Sequence, residues 1–279
     1  KIVTTTDNNS ISIWNTETGK ILTPPFYTKD TILDINFSKD GTKVMSGLLN
    51  GEFHEWDIHT GRPLNIDLTH DMPITSTEVS NNGQFILTGD VKGSLKKWNK
   101  SDHYLVPLVI NTGKKIGTVR VLDNDNKIAA LYENGVNSWG GVEIWDAQSL
   151  KKLHEYHFSK IESGKIITWI EISPDGKYIA YSIEDEDLIK IINTHENKSP
   201  RTIDNHNNII WGLHFSPNSK YLASVSQDGT SKLFIVENNF EKPKTLTYRF
   251  GFGGRVTFSP DSKKIAASTI VGGNKNIVK

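Results

Sequence analysis

The sequence contains no cysteine among its 279 residues. Disulfides, thiolate nucleophiles and zinc sites that need sulfur ligands are therefore excluded. A chain of this length can bury a substantial core without such cross-links, so the absence of cysteine does not identify a compartment. Cytoplasmic localisation is the default expectation.

The chain also lacks a net charge and long apolar runs. The 32 Lys and Arg residues balance the 32 Asp and Glu residues, so no overall electrostatic field attracts nucleic acid or an anionic membrane. No apolar run approaches the ~18 residues that a membrane-spanning helix requires. We therefore expect a soluble protein that neither binds nucleic acid nor inserts into a membrane.

What the sequence does contain is an internal repeat, whose period decides the fold class. The copies are FSKDGTKVMSGLLNGEFHEW (37–56), VSNNGQFILTGDVKGSLKKW (79–98), ISPDGKYIAYSIEDEDLIKII (172–192), FSPNSKYLASVSQDGTSKLF (215–234) and FSPDSKKIAAST (258–269), with a weaker copy at 121–145. Short runs rich in Val, Ile, Thr and aromatics alternate with turn dipeptides such as DG and NG, which predicts antiparallel strands. No segment shows a sustained helical period.

A hydrophobic landmark closes each copy. These landmarks are Trp14, Trp56, Trp98, Trp145, Ile192 and Phe234, at intervals of 42 to 47 residues. Four of them are followed by Asp or Asn, as Trp14-Asn15, Trp56-Asp57, Trp98-Asn99 and Trp145-Asp146. Together with the FSPDG-like turn, these features resemble the WD40-repeat family over essentially the whole chain. The resemblance implies an all-β β-propeller of antiparallel four-stranded blades.

Counting strands predicts seven blades with an incomplete seam between the first and last. Five copies, from about Ile32 to Arg249, supply four strands each. The two ends supply three strands each, near Lys1, Ile11 and Ile21 and near Arg255, Ile265 and Ile277. The chain opens on Lys1 without an initiator Met. We expect a single propeller over residues 1–279 that is part of a longer protein, with a slice of a longer array as the alternative.

The resemblance also assigns residues that brace the blades. In the family, a His before the innermost strand, a Ser or Thr in the second, an Asp in the next turn and the Trp of the third form a buried hydrogen-bonded chain. One match comprises His206, Ser224 or Ser226, and Asp228, with Phe234 in place of the indole donor. A second comprises His70, Thr88 and Trp98, with Lys92 where Asp is expected, and Trp14, Trp56 and Trp145 are the other structural landmarks.

The Ser, His and Asp residues near the sixth copy are therefore interpreted as structural. A nucleophilic triad would also need an oxyanion pocket and an elbow such as GxSxG, which the sequence lacks. Asp123-Asn-Asp-Asn126 begins like a calcium loop but has neither the Gly nor the Glu that such a loop requires. We expect no metal, no cofactor and no enzymatic activity.

Candidate binding residues fall into two groups. Loops before the innermost strands, which the family uses to hold peptides or proteins, contain Asp71, Lys114, Lys165 and Asn208, and the ENGVNSWGG insertion adds Trp139. Trp139 suits an interface anchor, although packing onto its own blade is an open alternative. The innermost strands themselves carry Arg120, Glu171 and Arg255. Their alternation onto one face predicts either mutual neutralisation between blades or a polar ligand site at the channel mouth.

Three functions follow from these features. The first is a non-catalytic scaffold for a protein or peptide, either monomeric or part of a larger assembly. Its alternative is the C-terminal sensor or recognition propeller of a larger signalling protein, such as an NTPase or a kinase. A propeller hydrolase or lactonase acting at the channel mouth is disfavoured, because no carboxylates recur at matched positions of several blades. The sequence does not name the partner.

Overall fold

The computed structural model describes residues 1–38, 40–103, 106–135, 138–158, 162, 164–196, 198–241, 243–247, 252–271 and 275–278. These residues form strands joined by turns, and the longest helical elements among them are two 3-10 turns, Lys100–Asp102 and Glu184–Glu186. Within the described ranges, no helix is long and apolar enough to cross a membrane.

The strands form seven sheets, each built from strands consecutive in the chain. Sheet 1 contains β1 (Ile2–Thr5), β2 (Ser10–Trp14) and β3 (Phe26–Tyr27). Sheet 2 contains β4 (Ile32–Phe37), β5 (Lys43–Leu48), β6 (Glu52–Asp57) and β7 (Pro63–Thr69). Sheet 3 contains β8 (Ile74–Val79), β9 (Phe85–Asp90), β10 (Ser94–Asn99) and β11 (Leu108–Asn111). Sheet 4 contains β12 (Ile116–Leu122), β13 (Lys127–Glu133), β14 (Trp139–Asp146) and β15 (Lys152–His157).

The remaining sheets follow the same order. Sheet 5 contains β16 (Ile167–Ile172), β17 (Tyr178–Ile183), β18 (Leu188–Asn193) and β19 (Arg201–Asn205). Sheet 6 contains β20 (Ile210–Phe215), β21 (Tyr221–Ser226), β22 (Thr230–Ile235) and β23 (Lys244–Thr247). Sheet 7 contains β24 (Phe252–Phe258), β25 (Ile265–Val271) and β26 (Lys275–Val278). The predicted all-β propeller class, with antiparallel four-stranded sheets, is confirmed.

One predicted strand lies elsewhere. The third strand of the first copy was expected near Ile21, but β3 begins at Phe26, and Ile21 forms only an isolated bridge with Trp14. Pro24 and Pro25 stand between them. Because proline has no N–H to donate to a ladder, the pairing that begins at Ile21 cannot continue through these two residues.

The chain divides into two compact units. Unit 1 comprises residues 1–121, 125–132 and 143–154, and unit 2 comprises residues 122–124, 133–142 and 155–279. Apolar side chains from neighbouring sheets pack into buried clusters in each unit. A unit 1 cluster includes Phe85, Leu87, Ile116, Val119 and Trp145, and a unit 2 cluster includes Ile189, Ile210, Leu213, Phe215 and Phe234. Burial of these faces supplies the main driving force for stacking the sheets.

The FSPDG-like turn has a repeated hydrogen-bond pattern. Its Ser hydroxyl donates to the Asp or Asn two residues on, at 2.5 to 2.8 Å, in the turns that begin at Ser38, Ser80, Ser173, Ser216 and Ser259. The same hydroxyl accepts the N–H five residues on. These side-chain bonds close the connection between the first and second strands, which explains why the motif recurs.

A β-bulge recurs near the start of the first strands. The register with the second strand shifts between Ile32 and Asp34, Ile74 and Ser76, Ile167 and Trp169, and Ile210 and Gly212. The unpaired residues are Leu33, Thr75, Thr168 and Trp211. A bulge re-aims the side chain that it inserts, and Leu33 and Trp211 are both exposed. The bulge therefore presents selected side chains near the loops that precede each sheet.

Candidate binding surface and its bracing networks

Sheet 3 contains a four-membered hydrogen-bonded network. His70 lies 2.8 Å through Nδ1 from Asp90 Oδ2 and 2.7 Å through Nε2 from Thr88 Oγ1. Trp98 Nε1 donates to the same hydroxyl at 2.8 Å. The structure thus brings His70, Thr88 and Trp98 together. Asp90, at the end of β9, is the acidic member. The network is therefore complete although position 92 is Lys.

Burial lowers the pKa of His70, and the hydrogen bond to Asp90 opposes that effect. A neutral imidazole fits the geometry. The Thr88 hydroxyl has one hydrogen, and it accepts the indole N–H, so it can donate that hydrogen to Nε2 while Nδ1–H donates to Asp90. Every member then has a partner, which is what a buried polar network requires.

Sheet 6 contains a related network. His206 lies 3.0 Å through Nδ1 from Asp228 Oδ2 and 2.8 Å through Nε2 from Ser224 Oγ. The role left open between Ser224 and Ser226 therefore falls to Ser224. Ser226 ends β21, and its hydroxyl instead donates to the carbonyl of Asn208 at 2.8 Å.

The Asp228 carboxylate is held by several donors. Burial would raise its pKa, but hydrogen bonds from Thr230 and from the backbone N–H of Asn207, together with His206, lower the pKa to about 2. The Asn207 bond is 2.9 Å long. Asp228 therefore ties the loop before β20 to the turn between β21 and β22.

Among the described residues, the other Trp landmarks make different contacts. Trp14 Nε1 donates to Thr4 Oγ1 at 2.8 Å. Trp56 and Trp145 are buried, with the Phe26 ring centroid 5.6 Å from that of Trp56 and the Lys152 ammonium 5.9 Å above Trp145. Trp56 therefore packs against a ring of the neighbouring sheet, and Trp145 is buried in a cluster that includes residues of sheet 3.

Ionic networks that sequence reasoning missed occupy two further places. In unit 1, buried Glu143 accepts from Lys114 at 2.6 Å and from Lys152 at 3.0 Å. In unit 2, Glu162 accepts from Tyr181 at 2.7 Å and from Lys190 at 2.8 Å. The sequence does contain a signal for these networks. Glu143 and Lys190 each lie two positions before a landmark, Trp145 and Ile192, and alternation places such a residue on the same face of the strand as the landmark.

The proposed loop residues have different environments. Asp71 and Asn208 are exposed in the loops before β8 and β20. Lys165, before β16, lies 2.6 Å from Glu186. Lys114 is bound to Glu143, and its ammonium lies 4.2 Å above the Tyr132 ring. Lys114 therefore braces unit 1, and an ion pair already engages Lys165.

Trp139 is not on a loop as expected. It is the first residue of β14 and is half-buried. Positions 136 and 137 of the insertion lie outside the described residues. Asn134 N–H donates to the Ser138 carbonyl at 2.8 Å, next to the start of β14. Trp139 is therefore a strand residue and not a loop residue.

Polar side chains on the first strands of unit 1 satisfy one another between sheets. Asp34 accepts the Thr77 N–H at 2.6 Å, and Asn36 donates to the Thr77 carbonyl at 2.8 Å. Arg120 lies 3.5 Å from Glu78. Burial raises the pKa of Asp34, whereas its bonds to Thr77 and the Arg120 charge act to lower it. In this unit the contacts favour neutralisation between sheets over a polar ligand site.

The first strands of unit 2 are different. Glu171 is buried and accepts from its neighbour's N–H, that of Ile172, at 3.3 Å. Arg255 is exposed, with its guanidinium carbon 5.4 Å from the centroid of Trp169. Trp211 is 45% exposed. Sequence reasoning missed Trp211, because simple alternation along β20 does not reveal that a bulge removes it from the ladder.

The acidic turn at 123–126 forms hydrogen bonds with a neighbouring turn. The Asp125 carboxylate accepts the N–H groups of Asn81 and Asn82 at 2.6 and 3.0 Å. In the part of the chain that is described, no group of three or more His, Asp or Glu residues is arranged to hold a metal. Asp125 therefore links neighbouring turns of unit 1.

Comparison with known proteins is consistent with this geometry. A family model described as "WD domain, G-beta repeat" matches residues 61–99 and 197–234. These two segments contain the networks of His70 and His206. Both matches thus fall on the repeats in which a His, a hydroxyl and a carboxylate are joined.

Three curated proteins are similar over part of the chain. They are U3 small nucleolar RNA-associated protein 12 of Saccharomyces cerevisiae (27% identical over 66% of this chain and 16% of that protein), apoptotic protease-activating factor 1 of Rattus norvegicus (26% over 53% and 13%) and WD repeat-containing protein SL1-17 of Schistosoma mansoni (24% over 60% and 52%). The matched regions are thus a minor part of the first two proteins and about half of the third.

Proposed function

Because this chain belongs to the WD40-repeat β-propeller family, we propose that it is a non-catalytic scaffold that binds a protein or peptide through loops preceding the first strands. Proteins with such repeats serve as interaction platforms. Fold alone does not define a site, so the proposal depends on local features of those loops.

The observation that carries the proposal is an exposed Trp beside a braced loop. Trp211 is 45% exposed, and it follows a loop in which Asn207 N–H is bound by Asp228 and the Asn208 carbonyl by Ser226. Large exposed indoles are enriched at interface hot spots. A loop that is already ordered loses little conformational entropy on binding, which favours affinity.

An affinity experiment tests this function. The tagged protein and its Trp211→Ala variant would be used to enrich partners from the source cells, and each candidate would then be purified and titrated against both forms. We expect a stoichiometric partner whose affinity falls by at least about 10-fold in the variant. Ile235→Ala, at an exposed apolar residue of β22, is the matched control. A partner that binds both variants as it binds the wild type would contradict use of this surface.

The alternative role is the recognition module of a larger protein. Its support is the coverage of relatives, since the matched segments are only 16% and 13% of two of them. Sequencing the complete transcript tests this role. An open reading frame that adds an NTPase or kinase domain would support it, whereas a frame that encodes only the propeller would exclude it.

A further inference from the structure

Arg255 reaches across one sheet to a Trp on the sheet beyond. Its guanidinium carbon lies 5.4 Å from the ring centroid of Trp169, although Arg255 is on β24 and Trp169 is on β16. The intervening strand is β20, and Trp169 Nε1 donates to the Leu213 carbonyl of that strand at 3.0 Å. The cation–π pair of Arg255 and Trp169 therefore depends on the first strands of three consecutive sheets in unit 2.

Gly212 permits this approach. A Cβ atom at that position would lie 3.3 Å from the Gly254 carbonyl oxygen and 3.6 Å from the Arg255 Cα. The backbones of β20 and β24 are therefore in close contact where Arg255 leaves its strand. Trp211 precedes Gly212 directly, so the backbone that carries this exposed indole lies beside the backbone of Arg255.

Among the described residues, the Arg255 guanidinium has an aromatic partner and no acidic one. Its backbone N–H donates to Ser268 Oγ at 2.8 Å, but no carboxylate among the described residues forms an ion pair with its side chain. By contrast, Arg120 has Glu78 at 3.5 Å, and Arg201 donates to the Asn239 carbonyl. A guanidinium that rests on an indole keeps the planar set of donors that binds a carboxylate through two parallel hydrogen bonds.

We propose that Arg255 and Trp211 form a subsite for an acidic peptide in which a carboxylate side chain is followed or preceded by an apolar residue. The carboxylate binds the guanidinium of Arg255, and the apolar neighbour packs on the Trp211 indole. Trp169 is a positioning residue that holds the guanidinium in place. This inference rests on the proposed binding function and specifies the chemistry of its partner.

A selection from a display library of random short peptides on the intact protein tests the subsite. We expect the enriched peptides to place Asp or Glu beside an aliphatic or aromatic residue. Affinity for a synthetic enriched peptide should fall at least about 10-fold in Arg255→Ala and in Trp211→Ala, since a charge-assisted bidentate contact is lost in one and a hot-spot contact in the other. Binding should also weaken as salt is raised.

Matched variants separate this inference from the broader function. Arg201→Ala removes an exposed arginine elsewhere in unit 2 and should bind as the wild type does. Trp169→Leu should weaken binding of the enriched peptide. Its melting temperature is compared with that of the Arg255→Ala variant. Circular dichroism melting checks that each variant is folded.

The outcomes are distinct. Enriched acidic peptides that depend on Arg255 and Trp211 support the subsite. Enriched peptides without acidic residues, or acidic ones that bind Arg255→Ala unchanged, overturn the subsite and leave the scaffold function standing. If no peptide is enriched over a blank surface, both the subsite and a peptide-binding function are contradicted.

Discussion

His70 and Thr88 are joined by a 2.7 Å hydrogen bond in the interior of sheet 3. The same hydroxyl accepts the Trp98 N–H, so the only arrangement that satisfies all three groups has Thr88 donating to a neutral imidazole. One hydroxyl group therefore fixes the tautomer of His70 and the orientation of the Trp98 indole.

Replacing Thr88 with Val should destabilise the protein by about 2–4 kcal/mol, because it leaves Nε2 of His70 and the Trp98 N–H buried without partners. Thr88→Ser is the control, since it keeps the hydroxyl and removes only a methyl group. Urea unfolding of both variants provides the measurement. If Val is no more destabilising than Ser, the hydroxyl does not have this role.

The network of His206 predicts a pH dependence. The pKa of Asp228 falls from 3.8 in the unfolded chain to about 2 in the folded protein. Because the unfolded chain takes up the proton first as pH falls, the stabilising contribution of this group is fully present above about pH 4 and is lost as pH falls through about 2. Asp228→Asn should be less stable than wild type by about 1 kcal/mol at neutral pH.

That difference between wild type and Asp228→Asn should shrink as the unfolding free energy is measured at successively lower pH. Glu241→Gln, at an exposed carboxylate elsewhere in unit 2, is a suitable comparison. A wild-type advantage over Asp228→Asn that is unchanged in acid would contradict the assignment.

Asp125 predicts a rank order of stability. It occupies the left-handed region with φ of 74°, where a residue other than Gly is strained, but its carboxylate binds two backbone N–H groups. Asp125→Ala retains the strain and loses both bonds, so we expect a loss of about 1–2 kcal/mol. Asp125→Gly relieves the strain and should lie between Ala and wild type. Thermal melting of the three proteins checks the order.

Arg120 and Glu78 should stabilise the protein together. Both side chains are only about one quarter exposed, and we expect Arg120→Ala to lower stability by about 1 kcal/mol. In a double-mutant cycle, Glu78→Ala should have little further effect in the Arg120→Ala background. Unchanged melting accompanied by lost partner binding would instead assign Arg120 to the binding surface.

Local patterns in the sequence were enough for the fold. Strand positions depend on short runs of β-branched and aromatic residues, and turns depend on residues such as Gly41 and Gly83, whose φ values are 65° and 67°. Those preferences act between residues close in the chain. The β-propeller class, the strand pairing order and the meeting of His206 with a Ser and with Asp228 were accessible for this reason.

The partners within each network were not accessible in the same way. Ser224 and Ser226 are two residues apart on one strand, and alternation places both on one face. Only the register of β21 against β20, and the position of the Asn208 carbonyl, decide which one meets His206. The acidic member of the network of His70 was not accessible either. Asp90 has this role instead of a residue at position 92, because the distance from His70 depends on where β9 ends.

The sequence by itself determined the repeat, the strands and the turns of this protein, because these follow from interactions between neighbouring residues. Only the tertiary structure decided that Lys114 serves Glu143, that Trp139 belongs to a strand, and that Arg255 crosses Gly212 to reach Trp169. These relationships join separate strands or sheets. They depend on close packing of backbones and on bulges, neither of which is encoded by the spacing of residues along the chain.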